Sequence, residues 1–191
     1  MKELEWAAEL IESTGSPWAI CGGWAIDLFL GRITRMHKDV DVAIPRQHQL
    51  QVQARLLALG WSLEVAHKGE LSPWAEGDFL ELPRHAIWAR RGDEFLEILL
   101  NEWTETEIVH RRDRRISLPV DRAICRNGKI AFLAPELVLL YKSTDTENKL
   151  NRRDLAVTLP ELTADSRLWL SNALKMQSPE HPWLLGELGR S

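Results

Sequence analysis

The length, composition and charge of the chain narrow its class before any motif is considered. With 191 residues, of which 45% are hydrophobic and 27% charged, the chain is predicted to form one globular domain, or one core with a small appendage, and disorder or a second catalytic domain is not expected. A net charge of −4 argues against a protein that holds long nucleic acid through many phosphates, and it favours a cationic substrate.

Cysteine usage and the first residues predict a cytoplasmic protein. Cys21 and Cys125 are far apart and lack the spacing of metal ligands, so we expect reduced thiols rather than a disulfide or a zinc site. Residues 1–6 are acidic, unlike the start of a signal peptide, and no apolar run approaches the roughly 20 residues of a membrane span. We therefore expect no membrane as a partner.

Hydrophobic periodicity predicts an α+β fold, with a mixed β-sheet flanked by helices. Apolar residues at helical spacing mark the helices, and alternating or continuous apolar runs mark the strands. In chain order we predict a helix over 4–11, a strand over 18–21, a helix over 24–30, a strand over 39–44, a helix over 47–59, a strand over 61–66, strands over 85–90 and 94–100, a hairpin over 123–132, a helix from 135, and helices over 154–162 and 165–175. Residues 1–133 would form the core, and residues 134–191 a helical extension packed on it.

Two glycines, Gly22 and Gly23, separate the strand over 18–21 from the helix that follows. A Gly-Gly turn lets backbone N–H groups approach phosphate oxygens without a Cβ in the way, and the helix N-terminus adds the positive end of its dipole. The same pair is common in an ordinary turn. Taken alone, the glycines leave both interpretations open.

Asp39 and Asp41 lie in the apolar strand over 39–44. Successive strand side chains point to opposite faces, so the two carboxylates are expected on the same side, roughly 6–7 Å apart along the strand. An Asp-x-Asp pair is often a solvated edge, but carboxylates at this distance can share metal ions. After a glycine pair, they indicate a site for a nucleoside triphosphate and its Mg²⁺.

These residues carry a resemblance to a known family. The order of two glycines followed by Asp-hydrophobic-Asp-hydrophobic resembles the nucleotidyltransferase superfamily that includes DNA polymerase β. Within it, the sequence is most similar to the small antibiotic nucleotidyltransferases of the aminoglycoside 2″-adenylyltransferase and lincosamide nucleotidyltransferase type. The similarity is nearly continuous over residues 22–44 and looser through Glu97 and residues 135–154. It implies the nucleotidyltransferase fold with a small C-terminal helical part.

The resemblance also implies a metal site of Asp39, Asp41 and Glu97 that holds two Mg²⁺ ions, with Glu97 accepting the proton of the attacking hydroxyl. Glu97 is the single charged residue of the apolar run over 95–100, where a carboxylate needs a partner. The alternative is a structural salt bridge to a buried arginine. Relatives often have aspartate here, so the glutamate departs from the family pattern.

Three basic residues are expected near the phosphates by the same resemblance. Arg35 and His37 precede the aspartates, and Lys142 lies near the end of the helix that begins at residue 135. Fixed positive charge there would stabilise the terminal phosphates and the departing pyrophosphate, which ATP would supply as co-substrate. The alternative for each is a solvated surface position.

The activity that the resemblance implies is Mg²⁺-dependent transfer of a nucleoside monophosphate, AMP from ATP as the first choice, to a hydroxyl of a small molecule such as an aminoglycoside-like antibiotic. AMP transfer to a protein, as in toxin–antitoxin nucleotidyltransferases, is one alternative. A catalytically silent ligand-binding module of the same fold is another. Long nucleic acid is not expected as a partner.

Other residues have roles that the sequence leaves open. Asp27 lies on the predicted helix over 24–30 and is expected to pair with Arg32 or Arg35. Most tryptophans are expected to pack the interior, and three near the later strands are alternatives for an acceptor pocket: Trp74, Trp88 and Trp103. The acidic candidates for holding a cationic acceptor are Glu76, Asp78, Glu81, Glu102 and Glu105.

Overall fold

The computed structural model describes residues 2–186 and 188. Helices and strands alternate over residues 2–67, the elements over residues 70–133 are strands except for one short helix, and the elements after residue 134 are helices. The helices are α1 (Lys2–Glu12), α2 (Gly22–Leu30), α3 (Gln49–Ala58), α4 (Val120–Ala123), α5 (Pro135–Lys142), α6 (Lys149–Thr158), α7 (Ala164–Gln177) and α8 (Pro182–Leu185). The strands are β1 (Ala19–Ile20), β2 (Asp41–Pro45), β3 (Ser62–His67), β4 (Glu70–Pro73), β5 (Ala86–Arg91), β6 (Glu94–Trp103), β7 (Glu107–Val109), β8 (Ser117–Pro119), β9 (Ile124–Asn127) and β10 (Ile130–Leu133).

One mixed sheet organises the fold, in the order β4-β3-β5-β6-β2-β1-β10-β9, with β7 pairing with β6 and with β8. The pairs β2 with β6 and β1 with β10 are parallel, and the other neighbours are antiparallel. The predicted α+β class and the mixed sheet flanked by helices are confirmed. None of the helices within the described residues combines the length and apolar character that crossing a membrane requires.

The two faces of the central strands differ in chemistry. On β6, Leu96, Ile98 and Leu100 are buried in the hydrophobic core. The alternate residues of the same strand point to the other face, where Glu97 is half-buried. Because Asp41 of β2 is paired with Glu97 in the parallel register, both carboxylates are placed on that second face.

Element boundaries differ from the predictions in places that matter for the site. β2 begins at Asp41, so Asp39 lies in the loop before the strand, and α2 begins at Gly22 itself. The helix predicted from residue 154 begins at Lys149, because the side chain of Asn148 accepts a hydrogen bond from the N–H of Leu150 at 2.9 Å and caps it. The short strands β4, β7 and β8 were not predicted. The division of the chain at residue 133 stays a prediction.

A buried carboxylate joins the C-terminal helices to the first part of the chain. α5 and α6 both pack against α2. Asp154 of α6, only 1% exposed, lies 3.0 Å from Arg35 Nε and 3.0 Å from Lys142 Nζ. Arg153 of the same helix donates a hydrogen bond to the carbonyl of Thr34. The loop between α2 and β2 is therefore held against α6 by charge as well as by packing.

The Asp154→Asn variant removes the charge of this carboxylate and leaves two partly buried cations without their anion. Because breaking a buried ion pair leaves uncompensated charge, we expect the free energy of unfolding to fall by about 3 kcal/mol, measured by urea denaturation. Glu147→Gln, the loss of an exposed carboxylate in the loop before α6, is the matched control and should change it by less than about 0.5 kcal/mol. Equal changes in the two variants would contradict this role for Asp154.

Candidate active site

Three carboxylates converge where β2 begins beside β6. Asp41 and Glu97 are register partners on these parallel strands, and Asp39 precedes β2 by two residues. One oxygen from each of Asp39, Asp41 and Glu97 lies within 4.8 Å of the others. The structure thus brings together the three residues that were predicted as metal ligands, although Asp39 reaches the cluster from a loop rather than from the strand.

The carboxylate cluster has the chemistry of a divalent-cation site. Its donors are hard oxygens, which suit Mg²⁺. Burial, together with the charges of Glu97 and Asp39, raises the pKa of Asp41 to about 7. Ionising all three groups is therefore unfavourable unless a cation is supplied. These residues fit a bound metal.

Glu97 has no arginine partner among the described residues, so the salt-bridge alternative is wrong there. Its Oε1 instead accepts a hydrogen bond from Trp88 Nε1 at 3.3 Å, across the pair formed by β5 and β6. The backbone N–H of Glu97 donates to the carbonyl of Val40 at 3.1 Å. Neutral contacts therefore orient Glu97 while its charge faces the aspartates.

The two glycines are required by the side chains that surround them. Gly22 has a φ of +63°, and a Cβ there would lie 1.9 Å from Asp41 Oδ2. A Cβ on Gly23 would lie 2.0 Å from Arg35 Nη2 and 2.8 Å from His37 Cε1. Both glycines thus pack directly against residues predicted for the site.

The loop between α2 and β2 is fixed by internal partners. His37 Nε2 lies 2.6 Å from Asp27 Oδ2, and its ring stacks on Trp24 with the centres 4.2 Å apart. Asp27 also accepts hydrogen bonds from the backbone N–H and the hydroxyl of Thr34, at 3.0 and 2.6 Å. The expected pairing of Asp27 with Arg32 or Arg35 is wrong, because Asp27 holds Thr34 and His37 and Arg35 binds Asp154 instead.

A pocket of about 240 Å³ adjoins the carboxylates on the side of the C-terminal helices. It is lined by Cys21, Gly22, Leu99, Asn101, Arg111, Leu133, Val138, Tyr141, Lys142 and Asn151. Lys142, predicted for phosphate binding, thus lines the same pocket as Gly22. Arg111 was missed as a site residue; it lies in a run of basic residues over 110–115, and only that clustering could have indicated it.

A second pocket, of about 480 Å³, reaches Asp39 from the other direction. It is lined by Lys2, Glu3, Trp6, Trp24, His37, Lys38, Asp39, Val40, Asp93, Glu94 and Phe95. Phe95, Glu97 and Leu99 share one face of β6, since side chains alternate along a strand. Because Phe95 lines this pocket and Leu99 lines the smaller one, Glu97 lies between the two pockets along β6.

The other candidate residues have mostly structural positions. Trp74 and Trp103 are buried in the hydrophobic core, and of the three tryptophans considered for a pocket only Trp88 contacts a carboxylate of the cluster. Glu102 is paired with Arg46 at 2.5 Å, and Asp78 with Arg84 at 3.3 Å. The remaining acidic candidates are exposed, namely Glu76, Glu81 and Glu105.

The chain is similar in sequence and in fold to known nucleotidyltransferases. The family model for aminoglycoside-2''-adenylyltransferase matches residues 3–117. A 2''-aminoglycoside nucleotidyltransferase from Klebsiella pneumoniae is 46% identical over 82 residues, which make up 42% of this chain and 45% of that protein. The matches span 40% to 45% of the length of the curated relatives.

The fold is shared by solved structures that include two antibiotic-modifying enzymes. The structure of ANT(2")-Ia in complex with adenylyl-2"-tobramycin has a TM-score of 0.63 at 17% identity, covering 93% of this chain and 100% of that one. Lincomycin-bound LnuA, a lincosamide antibiotic adenylyltransferase, has a TM-score of 0.58 at 20% identity, covering 81% of this chain and 93% of that one. The fold is therefore that of the nucleotidyltransferases. The family match is specific enough to go further: the chain belongs to the aminoglycoside-2''-adenylyltransferase family, which confirms the resemblance.

Gly22→Ala tests the close approach of the helix start to Asp41. Gly31 provides the matched control, because its φ of +64° is the same within a degree, but a Cβ there would meet no atom of the described residues within 4 Å. Gly31→Ala should be destabilised by about 1–2 kcal/mol through backbone strain, and Gly22→Ala by more, because its Cβ must also displace Asp41. We expect Mg²⁺ to raise the melting temperature of the native protein, and only Gly22→Ala should lose that rise. Retention of that rise in Gly22→Ala would contradict the steric argument.

Glu97→Gln tests the repulsion within the cluster. In the metal-free folded protein, the pKa of Asp41 is raised from its ordinary value of 3.8 to about 7. The stability that protonated Asp41 contributes is therefore complete below about pH 4 and is lost as the pH rises to about 7. Replacing Glu97 removes one source of the raised pKa. We therefore expect the melting temperature in EDTA at pH 7.5 to rise by a few degrees.

The control for this measurement is Glu70→Gln, which removes an exposed carboxylate from β4. A fall in melting temperature for Glu97→Gln in EDTA, with Glu70→Gln unchanged, would indicate that Glu97 stabilises the fold instead of being repelled by the aspartates.

Proposed function

We propose that the protein transfers a nucleoside monophosphate, AMP from ATP, to a hydroxyl group of a small molecule. The observation that carries the proposal is the cluster of Asp39, Asp41 and Glu97 beside two sterically required glycines, in a chain of this family. Unneeded carboxylates in this arrangement would be unfavourable, as the raised pKa of Asp41 indicates. The cluster is therefore better explained by catalysis than by a silent binding module.

The three carboxylates would hold two Mg²⁺ ions, which would activate the attacking hydroxyl and stabilise the charge of the departing pyrophosphate. Glu97 is the best candidate to accept the hydroxyl proton. Its Oε1 accepts a hydrogen bond from the indole N–H of Trp88, which fixes the side chain beside the aspartates. Trp88 is thereby given a positioning role.

The phosphates of ATP would lie against the start of α2. The backbone of Gly22 and Gly23 is free of Cβ atoms there, and the helix dipole favours an anion. Arg35 and Lys142 share the single carboxylate of Asp154, so this group of three keeps one net positive charge for the triphosphate. His37, held by Asp27 beside Gly23, would complete the binding surface.

The acceptor would occupy the pocket of about 480 Å³ on the other side of Glu97. Aromatic side chains there, Trp6, Trp24 and Phe95, suit the apolar faces of sugar rings, and Asp93 adds negative charge. One structural relative was crystallised with adenylyl-2"-tobramycin and another with lincomycin. The negative net charge favours an aminoglycoside-like polycation, modified in the cytoplasm where ATP is available.

Pyrophosphate release from ATP, measured with a panel of acceptors, tests this function. We expect release to depend on Mg²⁺ and to increase with an aminoglycoside, and mass spectrometry should find AMP on the acceptor. If only a lincosamide is modified, the proposed nucleotidyl transfer is supported but the proposed aminoglycoside acceptor is wrong. AMP found only on protein would favour the toxin–antitoxin type of activity, and no turnover with any acceptor would favour the silent module.

Asp41→Asn should lower the rate in this assay by at least about a hundredfold, because it removes the charge of a central ligand without changing its volume. Glu70→Gln should retain the native rate. Near-native Mg²⁺-dependent turnover by Asp41→Asn would contradict the assignment of the carboxylate cluster.

A further inference from the structure

Arg111 is a cation beside the proposed site to which the proposed function assigns no role. It follows β7, and its side chain lines the pocket of about 240 Å³ together with Lys142 and Gly22. The residue is half-buried, and burial lowers the pKa of its guanidinium from the ordinary value. Its charge is thus partly removed from water in a pocket that begins beside the carboxylate cluster.

Neutral groups hold the guanidinium in place. Nη2 of Arg111 lies 2.9 Å from Nε2 of His85, whose Nδ1 lies 2.9 Å from the carbonyl oxygen of Pro83. A carbonyl only accepts hydrogen bonds, so Nδ1 carries the proton and Nε2 accepts from Arg111, which makes His85 neutral. The guanidinium also lies 4.8 Å from the ring centre of Tyr141, in cation–π contact.

Among the described residues, Arg111 lacks the carboxylate partner that comparable cations have. Arg35 and Lys142 each lie 3.0 Å from an oxygen of Asp154, and Arg46 lies 2.5 Å from Glu102. No ion pair of Arg111 occurs within the part of the chain that the structure describes. A partly desolvated guanidinium held by neutral partners is well suited to an incoming anion with several oxygens, because its planar fork can bind two of them.

The pocket itself connects Arg111 to the reaction centre. Cys21 and Gly22 line it, and Gly22 is in direct contact range of Asp41. Lys142 and Arg111 line the same pocket. The two cations and the glycine that packs against Asp41 therefore line one pocket, as the binding of a metal-bound triphosphate would require.

We infer that Arg111 binds the β- and γ-phosphates of the nucleoside triphosphate and the pyrophosphate that leaves, with His85 and Tyr141 as positioning residues. This inference rests on the proposed nucleotidyl transfer. Arg111 would be a second cation beside Lys142 in the same pocket. Its guanidinium can bind two phosphate oxygens at once, and no carboxylate of the described residues competes for it.

The test is calorimetric binding of pyrophosphate, ATP and AMP to the native protein with Mg²⁺ present. Arg111→Gln should weaken binding of pyrophosphate and ATP by about tenfold to a hundredfold and leave AMP unchanged. Arg114→Gln, the same charge loss at an exposed position of the same basic run, should leave all three affinities unchanged. Arg111→Lys keeps the charge without the planar fork, and its affinity for pyrophosphate should lie between those of the native protein and Arg111→Gln.

The outcomes separate this inference from the proposed function. Equal loss for AMP and pyrophosphate, or a lowered melting temperature with unchanged pyrophosphate affinity in both Arg111 variants, would overturn the phosphate role. If the native protein binds pyrophosphate through Arg111 but transfers no nucleotide to any acceptor, the inferred anion site stands and the proposed function fails. If it transfers nucleotide and Arg111→Gln has a native KM for ATP, the function stands and the inference fails.

Discussion

The parallel register between β2 and β6 is the constraint on which the site depends. It places Asp41 directly opposite Glu97 on one face of the sheet, and the loop returns Asp39 to the same point. Like charges so close together oppose folding, and hydrophobic residues on the other face of the same strands provide the offsetting stability. The sheet therefore maintains a cluster that is unfavourable until a cation binds.

Two buried carboxylates outside the cluster, Asp27 and Asp154, hold the loop that precedes β2. Asp27 holds His37 and Thr34 in the loop before β2, and Asp154 holds Arg35 and Lys142 between that loop and α5. The residues that these two carboxylates bind include Arg35 and His37, which lie close to Gly23, and Lys142, which lines the pocket of about 240 Å³. The loop before β2 is consequently held through three of its residues, Thr34, Arg35 and His37.

The sequence was enough to predict which carboxylates and glycines come together in the candidate site, because their signals are local. The alternation of Asp39 and Asp41 and the glycine pair are short motifs, and Glu97 stands out as a charge in an apolar run. Partners could not be predicted where contact depends on tertiary packing. Asp27 was assigned to the nearest arginines, whereas Arg35 reaches Asp154, which is 119 residues away in the chain. Arg111 could not be told apart by sequence from the other arginines of its basic run, although in the structure Arg111 is half-buried and those neighbours are exposed.

The fold likewise divides into elements that local sequence patterns predict and elements that depend on tertiary pairing. Long periodic segments such as α3 and β6 were predicted, but three short strands were not, since pairing with neighbours rather than apolar pattern defines them. The start of α6 depends on one side-chain cap at Asn148, and the start of β2 on where pairing with β6 begins. Boundaries of this kind depend on single hydrogen bonds, which composition does not indicate.

The central claim is that the three carboxylates form a metal centre that a nucleoside triphosphate completes. A Mn²⁺ titration followed by electron paramagnetic resonance measures this directly, with and without a non-hydrolysable ATP analogue. We expect the native protein to bind Mn²⁺ more tightly when the analogue is present, and the variant that combines Asp39→Asn, Asp41→Asn and Glu97→Gln to lose both the binding and its enhancement. Equal Mn²⁺ affinity and equal enhancement in that variant would show that the metal binds elsewhere, and would contradict the claim.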